Sequence, residues 1–264
     1  MYIKNKLIDE GKAFDWGRTS KDYAQYRDIY PEEFYQKLID MGLGIKGQSV
    51  LDIGTGTGVL PRNLYKYGAE FKGTDISENQ IIQARALAKE CNMEIDFSVV
   101  SAEKMDFLDN SFDVIMACQC FVYFDYEKLV PLLSKMLKPR GKFVVLYMAW
   151  LPNEDRIAGA SEKLILKYNP VWNGAGEERH AIQIPNVVHD YFDIDYSEVY
   201  DLNVPFTRDS WHGRMKACRG VGASLSDKNI EQWDKEHRQL LNEIAPDSFG
   251  IQHYAAILVL KSKK

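Results

Sequence analysis

The sequence lacks any uninterrupted run of about 18 apolar residues, so no segment is predicted to cross a membrane. Its first residues, MYIKNKLIDEGKAF, have no apolar stretch of the kind that a signal peptide needs, and we expect a cytoplasmic protein. Cysteine is scarce, with 4 residues and no C-x-x-C pair, so neither a zinc site nor any other metal is expected. The closest two, Cys118 and Cys120, are expected to be reduced residues of a core or pocket, with a reactive thiol as the alternative.

Positive charge is not in excess either. Lys and Arg total 33 against 38 Asp and Glu, which gives a formal net charge of −5. A net negative charge does not indicate the basic surface that binds a nucleic-acid backbone, so nucleic acid is not an expected partner. The length and the hydrophobic content of 45% are those of an ordinary globular chain, and we expect one domain, as a monomer or homodimer.

Strand-like and helix-like segments alternate through the first half of the chain. Strands are predicted at 49–54, 70–76, 94–100, 111–121 and 142–150, and helices at 59–68, 78–92 and 127–138. Pro131 is expected near the start of the third helix or at a kink in it, and 138–141 (KPRG) is expected to close that helix. This alternation predicts an α/β fold with a parallel sheet and helices on both faces.

The alternation breaks after Trp150. Residues 151–195 mix aromatic, Pro and Gly residues without clean periodicity, and we interpret them as a lid inserted between the fifth and sixth strands. Strands are expected again at 197–206 and 253–261, with mostly helical sequence between them. The predicted organisation of the single domain is N-terminal cap helices at 1–45, a ligand-binding core at 46–150, the lid at 151–195 and C-terminal strands and helices at 196–264.

A glycine-rich loop follows the first predicted strand, in the stretch VLDIGTGTGVL at 50–60. The dinucleotide pattern G-x-G-x-x-G would need its third glycine at 59, where the chain has Val59. Asp52, just before the loop, suits a cationic ligand such as S-adenosylmethionine better than a pyrophosphate. Asp75 comes 21 residues after Gly54, at the end of the second strand, where a carboxylate can bind both hydroxyls of a ribose. The alternative for Asp75 is a turn or helix N-cap residue.

Five segments in this order resemble the class I (Rossmann-like) S-adenosylmethionine-dependent methyltransferases, in particular their type 11/25-like small-molecule group. The segments are VLDIGTGTGVL, GTDIS, SAEKMDF, FDVIMACQCFVYF and LKPRGKFVVL, and the resemblance covers roughly residues 48–148. It implies a seven-stranded, mostly parallel sheet with an antiparallel last strand. It also implies S-adenosylmethionine as the cofactor and S-adenosylhomocysteine as the product.

The resemblance also implies which residues contact the cofactor. The glycine loop lies against its methionine part, the second-strand acid binds the ribose, the loop after the third strand holds the adenine edge, and the end of the fourth strand faces the sulfonium. The residues at the corresponding positions here are Asp52, Gly54, Thr55, Gly56, Asp75, Ile76, Ala102, Glu103, Cys118 and Gln119, with Phe121 as a further candidate.

A second resemblance lies before the sheet. DYAQYRDIYPEEF resembles the Y-x-x-x-R-P-x-Y-P element of the trans-aconitate methyltransferase-like group, with Asp28 in place of the first proline. It implies that Tyr23, Arg27 and Tyr30 contact the cofactor carboxylate or the lid, and the planar fork of Arg27 suits a carboxylate. The alternative is a surface helix with half-buried aromatic side chains.

The residues that bind the methyl acceptor are less well marked. The N/D-P-P-Y/F motif of enzymes that methylate adenine N6 or glutamine is missing after the fourth strand, so we expect a small-molecule acceptor and an in-line displacement. Tyr123 and His180 are candidate catalytic residues, and Trp150, Trp172 and Arg214 are candidate acceptor contacts. A solvated role for His180, and a solvated helix face anchored by Trp211 for the Arg214 region, are the alternatives.

Three other functions share parts of this pattern. A tRNA or rRNA methyltransferase would use the same cofactor site but would need a basic face. A non-catalytic S-adenosylmethionine-binding protein would retain the loop without turnover. An NAD-dependent oxidoreductase is disfavoured by Val59 and Asp52. The acceptor atom, whether O, N, S or C, stays open.

Overall fold

The computed structural model describes residues 3–264. Contacts within the chain define two compact units. The first unit comprises the chain up to Ile29 together with Ala149–Arg179 and Asp201–Tyr254. The second unit comprises Tyr30–Met148, His180–Tyr200 and Ala255–Lys264. The limits of these units differ from the predicted limits at 45, 150 and 195. That the chain forms a single domain stays a prediction.

The strands form one seven-stranded sheet with the order β3-β2-β1-β4-β5-β7-β6. They are β1 Ser49–Ile53, β2 Glu70–Asp75, β3 Asp96–Val99, β4 Phe112–Cys118, β5 Leu137–Trp150, β6 Phe192–Thr207 and β7 Ser248–Ser262. Pairing is parallel between β1 and β2, β1 and β4, β2 and β3, and β4 and β5. The predicted Rossmann-like, mostly parallel sheet with an antiparallel last strand is therefore confirmed.

Nine α-helices are described for residues 3–264. They are α1 Ser20–Tyr26, α2 Glu32–Asp40, α3 Val59–Leu64, α4 Glu78–Glu90, α5 Tyr126–Met136, α6 Arg156–Tyr168, α7 Asn186–Tyr191, α8 Arg208–Lys216 and α9 Asp227–Ile244. The predicted helices of the first half correspond to α3, α4 and α5, and Ser77 is the N-cap residue of α4. Pro131 lies inside α5 and not in its first turn.

The strands β1 and β4 are neighbours in the middle of the sheet, and most of their residues are buried. Ile53, Ile115 and Ala117 belong to one apolar core cluster of the second unit. Near-continuous apolar sequence is typical of parallel strands that are covered on both faces. Since Ile53 pairs with Ala117, the two strands end side by side, and Gly54 and Cys118 stand at the same edge of the sheet.

One prediction about element limits was wrong, and one segment contains helices that its sequence did not indicate. Residues 138–141 do not close the third helix, because α5 ends at Met136 and those residues belong to β5. The pairing of β4 with β5 shifts register there, and Arg140 has a positive φ of 62°. The predicted lid at 151–195 contains two helices, α6 and α7, where no helix was predicted. The buried face of α6 includes the polar residues Ser161 and Glu162, which hide the apolar periodicity of that helix.

Candidate functional site

The glycine-rich loop of the second unit is built on left-handed backbone. Gly54, Gly56 and Gly58 have φ angles of 63°, 57° and 73°, which residues with a side chain rarely adopt. The loop is tied to β2, because the Thr55 N–H donates to the carbonyl oxygen of Thr74 at 2.8 Å. The alternating glycines thus turn the chain sharply at the carboxyl end of β1.

Replacing Gly54 by alanine tests this geometry. An added Cβ at Gly54 would lie 2.8 Å from both Cβ and Sγ of Cys120, in addition to the backbone cost of a positive φ. We expect Gly54→Ala to lower the free energy of unfolding by about 1–3 kcal/mol more than Gly42→Ala in a urea titration. Gly42 is the matched control, since its φ is 70° and no described atom lies within 4 Å of its added Cβ. Equal losses in the two variants would show that the loop has room at Gly54.

Asp52 is a buried carboxyl at the end of β1, with 2% of its surface exposed. The Thr55 hydroxyl donates to its Oδ2 at 2.6 Å, whereas no donor within residues 3–264 reaches Oδ1. Burial raises the pKa of Asp52 to about 7, the Thr55 hydrogen bond opposes the rise, and the nearby charge of Asp75 adds to it. Oδ1 of Asp52 is thus a buried acceptor without a donor. A positively charged donor beside it would stabilise the ionised carboxylate.

Asp75 holds the end of β2 and the glycine loop together. Its Oδ2 accepts the Gly56 N–H at 2.9 Å, and its Oδ1 accepts the Ser77 N–H at 2.8 Å. Burial raises the pKa of Asp75, and these backbone donors oppose the rise. The Ile76 N–H also donates to this carboxylate, so of its roughly four acceptor positions about one remains for a ligand hydroxyl. The turn role and the ligand-binding role considered for Asp75 are therefore compatible.

The predicted adenine contacts lie around the ends of β2 and β3. Ile76 is 40% exposed, which is unusual for a large apolar side chain and leaves an apolar surface beside Asp75. Ala102 is buried in a short 3-10 turn after β3. The Glu103 carboxylate accepts from the Ser101 hydroxyl and from the Asp125 N–H, so it links this turn to the start of α5.

The end of β4 carries strained and sulfur-containing residues. Gln119 has a φ of 65°, and its side-chain amide donates to the carbonyl oxygen of Met148. Non-glycine residues in this conformation concentrate at functional sites. Cys118 Sγ lies 3.3 Å from the hydroxyl oxygen of Tyr30. Cys120, which the sequence analysis did not place in the site, donates from Sγ to the Ile53 carbonyl oxygen at 3.1 Å, and burial raises the pKa of its thiol well above the usual range.

The two candidate catalytic residues belong to the second unit. Tyr123 is half-buried in the 3-10 turn Phe121–Tyr123 that follows β4. His180 is exposed, its Nδ1 lies 3.0 Å from the Ala181 carbonyl oxygen, and its ring centre lies 5.6 Å from that of Tyr147. The exposure of His180 fits the solvated alternative for this residue.

The candidate acceptor contacts belong to the first unit, and they differ in their surroundings. The Arg214 guanidinium lies 4.8 Å from the ring centre of Trp150, and both residues are buried. Trp172 is packed so closely that an added Cβ at Gly220 would lie 2.7 Å from its ring. Trp172 is therefore a core residue of this unit, whereas Trp150 and Arg214 form a pair of aromatic ring and cation. The exposed helix face considered for Arg214 is excluded, because only 4% of this residue is exposed.

Tyr23 and Arg27, from the second resemblance, also lie in the first unit. The Arg27 guanidinium carbon lies 4.7 Å from the Tyr23 ring centre, and a guanidinium nitrogen lies 3.3 Å from the Tyr23 hydroxyl oxygen. Arg27 is the C-cap residue of α1. Tyr23 and Arg27 therefore contact each other without a ligand. Their role in cofactor binding stays a prediction.

A buried network of histidines was missed in the sequence. The chain of contacts runs from Asp234 Oδ1 to His212 Nε2 at 2.9 Å, from His212 Nδ1 to His237 Nδ1 at 2.9 Å, and from His237 Nε2 to Ser161 Oγ at 3.0 Å. Burial lowers the pKa of His212, and it lowers that of His237 to about 3. With both rings neutral, His212 donates from Nε2 to Asp234 and His237 donates from Nδ1 to His212. The Ser161 hydroxyl has one proton, and both His237 Nε2 and the Ile157 carbonyl oxygen, at 2.8 Å, lie within its reach.

A glycine loop after β1 and a carboxylate after β2 are common to nucleotide-binding α/β folds. The antiparallel last strand of this sheet is the feature that matches the S-adenosylmethionine-dependent methyltransferases. Comparison with known proteins agrees with this class. Residues 50–141 match the family model described as a methyltransferase domain. The chain therefore contains, at residues 50–141, a methyltransferase domain of the class I, Rossmann-like, S-adenosylmethionine-dependent type.

Curated relatives match part of the chain. The ubiquinone biosynthesis O-methyltransferase of Nitrosococcus oceani is 30% identical over 135 residues, which is 50% of this chain and 56% of that protein. Phosphoethanolamine N-methyltransferase 2 of Caenorhabditis elegans is 35% identical over 102 residues, which is 38% of this chain and 23% of that protein. The match thus spans little more than half of the first relative and less than a quarter of the second.

Solved structures share the fold. A candidate methyltransferase from Bacillus halodurans superposes with a TM-score of 0.52 at 16% identity, covering 86% of this chain and 97% of that one. Phosphoethanolamine N-methyltransferase 2 of Haemonchus contortus, in complex with phosphomonomethylethanolamine and S-adenosylhomocysteine, gives a TM-score of 0.51 at 20% identity, covering 88% of this chain and 53% of that one. At these identities the likeness concerns the fold alone.

No helix within residues 3–264 is long and apolar enough to cross a membrane. No group of at least three His, Cys, Asp or Glu side chains in this part of the chain is arranged to hold a metal ion.

Proposed function

We propose that this chain transfers the methyl group of S-adenosylmethionine to a small-molecule acceptor by in-line displacement. The observation that carries the proposal is the Asp75 carboxylate at the end of β2, joined to the glycine loop through the Gly56 N–H. This contact holds a ribose-binding acid and a glycine-lined turn in one fixed arrangement at the carboxyl edge of the sheet. Ligands of open α/β sheets bind at that edge.

The residues of the second unit fit this cofactor chemically. The donor-free Oδ1 of Asp52 suits the ammonium group of the methionine part. The remaining acceptor position of Asp75 suits a ribose hydroxyl, and the exposed side chain of Ile76 suits the face of an adenine ring. The full proposed set in this unit is Asp52, Gly54, Thr55, Gly56, Asp75, Ile76, Ala102, Glu103, Cys118 and Gln119.

The chemistry assigns few tasks to side chains. When bound, S-adenosylmethionine supplies a methyl group on a positively charged sulfur, which leaves as a neutral thioether. The chain's own residues therefore act mainly by orienting the reactants and excluding water. A general base is needed only for an acceptor that carries a proton, and Tyr123 and His180 stay the candidates for that role in the second unit.

The acceptor is proposed to be a small molecule because the curated relatives are named for small-molecule substrates. The net charge of −5 favours this acceptor over tRNA or rRNA. A non-catalytic S-adenosylmethionine-binding protein is the second candidate. A turnover assay decides between the two, because only the methyltransferase produces S-adenosylhomocysteine. A cytoplasmic monomer or homodimer stays the prediction for the whole protein.

A thermal-shift panel tests the cofactor assignment. Purified protein is heated with S-adenosylmethionine, S-adenosylhomocysteine, NADH or ATP, each at the same concentration. A ligand at 100 times its dissociation constant adds about 2.7 kcal/mol of stability, so binding is easily seen. We expect only the two sulfur ligands to raise the melting temperature. Stabilisation by NADH without stabilisation by the sulfur ligands would overturn the proposal in favour of hydride transfer.

A further inference from the structure

A cavity of about 650 Å³ opens in the second unit at the amino ends of the strands. Its lining includes the first residues of β1, β2, β3 and β4, which are Ser49, Glu70, Asp96 and Phe112. A volume of this size is typical of small-molecule sites. Along β1, Ser49 is about 16 Å from Gly54 of the glycine loop, since an extended strand rises about 3.3 Å per residue. The cavity therefore lies at the edge of the sheet opposite to the proposed cofactor site.

The buried part of the cavity lining is aromatic. Phe71 and Phe112 are 4% and 2% exposed, and the half-buried Phe107 packs edge-on against Phe112 with ring centres 5.2 Å apart. Leu108, which also lines the cavity, is 83% exposed. Apolar surface thus continues from the buried rings to the solvent, and a ligand with an apolar body can cover it.

The charged part of the lining has more acid than base. Lys72 is basic, and Glu70, Glu94 and Asp96 are acidic. Lys72 Nζ lies 2.6 Å from Asp96 Oδ2, so these two charges offset each other. Within residues 3–264 neither the Glu70 nor the Glu94 carboxylate has an ion pair or a hydrogen bond. Two exposed negative charges in the lining therefore stay unbalanced.

The pairing of β2 with β3 brings the two glutamates to the same place. Lys72 pairs with Asp96, and Glu70 and Glu94 each come two residues earlier in the chain. Side chains two residues apart in an extended segment point to the same side. The Tyr65 hydroxyl accepts the Glu94 N–H at 3.1 Å, which holds the chain just before β3. Like charges on neighbouring strands destabilise each other, and a cation between them would remove this repulsion.

We propose that this cavity is a binding site for a small organic cation with an aromatic or otherwise apolar body. The ammonium or guanidinium group lies between Glu70 and Glu94, and the body covers Phe71, Phe107 and Leu108. Aromatic rings also attract cations directly. The inference concerns a site other than that of the cofactor and does not rest on the proposed function.

Titrations of isotope-labelled protein, followed by the NMR shifts of its amides, test the inference without any cofactor. The probes are phenethylammonium, phenylpropionate, which keeps the ring but reverses the charge, and ethylammonium, which keeps the charge without the ring. We expect phenethylammonium to bind at least about tenfold more tightly than either partial probe. The shifted amides should concentrate at 68–72, 94–96 and 107–112. Added salt should weaken the binding, because it screens charges at the surface.

Variants assign the two halves of the site. Glu70→Gln and Glu94→Gln each remove one exposed charge at nearly constant size, so each should weaken phenethylammonium about threefold, and the double variant about tenfold. Leu108→Ser should weaken phenethylammonium but not ethylammonium. Glu127→Gln, at the exposed start of α5, removes the same charge beyond the carboxyl end of β4 and is the matched control, which should change nothing.

Three results would overturn the inference. The first is phenethylammonium that fails to bind, or that binds no more tightly than phenylpropionate. The second is a set of shifted amides confined to the glycine loop. The third is a double variant of Glu70 and Glu94 with the affinity of the wild type. None of these results would bear on the cofactor assignment, which the thermal-shift panel tests separately.

Discussion

Replacing Asp75 by alanine is expected to weaken the binding of S-adenosylhomocysteine by at least about 100-fold. A hydrogen bond from a ribose hydroxyl to a charged carboxylate contributes on the order of 1.5–3 kcal/mol, and a factor of 100 in affinity corresponds to about 2.7 kcal/mol. The substitution also removes the contact between Asp75 and the Gly56 N–H, so the glycine loop loses its link to β2. Isothermal titration calorimetry measures the dissociation constant directly.

Two controls separate these effects. Asp75→Asn keeps an oxygen that can accept from the loop but loses the charge and one acceptor, so its affinity should fall between those of the wild type and the alanine variant. Asp96→Ala removes another acid of the same sheet, one that pairs with Lys72 on the surface, and should leave the affinity unchanged. An Asp75→Ala protein that binds with wild-type affinity would contradict the ribose assignment and leave Asp75 with its turn role alone.

Acid is expected to destabilise the protein through its buried histidines. His237 and His253 each have a pKa of about 3 in the folded state and an ordinary value of 6.5. Below pH 6.5 these histidines become protonated in the unfolded chain but stay neutral in the folded protein, so protonation favours unfolding. The stability of the folded state is therefore unaffected by them above pH 6.5 and decreases as the pH falls towards 3. Within this window each histidine removes about 1.4 kcal/mol of stability per pH unit.

Buried acids act in the opposite direction. Asp52 has a folded pKa of about 7 and an ordinary value of 3.8, so the folded state holds its proton more tightly and gains stability as the pH falls from 7 towards 3.8. The raised pKa values of Asp75 and Glu162 act in the same sense. The histidine contribution must therefore be measured as a difference between the wild type and a variant.

The variant His237→Gln isolates one histidine of the network. The charged or titratable groups that face the His212–His237 pair are Asp234, Lys216 and Arg238. In urea titrations from pH 6.5 to 4.5, the wild type should lose about 1.4 kcal/mol per pH unit more than the variant. His180→Gln, on an exposed histidine, should run parallel to the wild type. Parallel curves for wild type and His237→Gln would mean that His237 titrates normally in the folded protein.

Much of the second unit could be predicted because its signals are local. The apolar strands β1 and β4, the capped helix α4 and the positions of Gly54 and Asp75 are all encoded within short windows of sequence. Periodicity, turn chemistry and the distance along the chain from one strand end to the next are visible without any long-range contact. The order of the segments from VLDIGTGTGVL to LKPRGKFVVL was then sufficient to indicate the family.

The first unit could not be predicted in the same way. The helix α6 was missed because Ser161 and Glu162 occupy positions of its buried face, and each is explained only by a distant partner, His237 for Ser161 and Trp150 for Glu162. Trp172 was grouped with possible acceptor contacts, whereas its neighbours Gly220 and Gly174 show it to be packed in the core. An aromatic residue has the same appearance in a sequence whether it lines a pocket or fills a core.

The sequence by itself determined the sheet, the glycine loop and the family, because alternation, glycine spacing and strand-end acids are properties of contiguous residues. Only the tertiary structure decided the protonation of the buried polar groups. The bare Nε2 of His253, the donor-free Oδ1 of Asp52 and the neutral pair of His212 and His237 depend on burial and on partners far along the chain. Desolvation and hydrogen bonding act through space, and therefore the chemistry of these groups is set by the fold and not by their sequence neighbours.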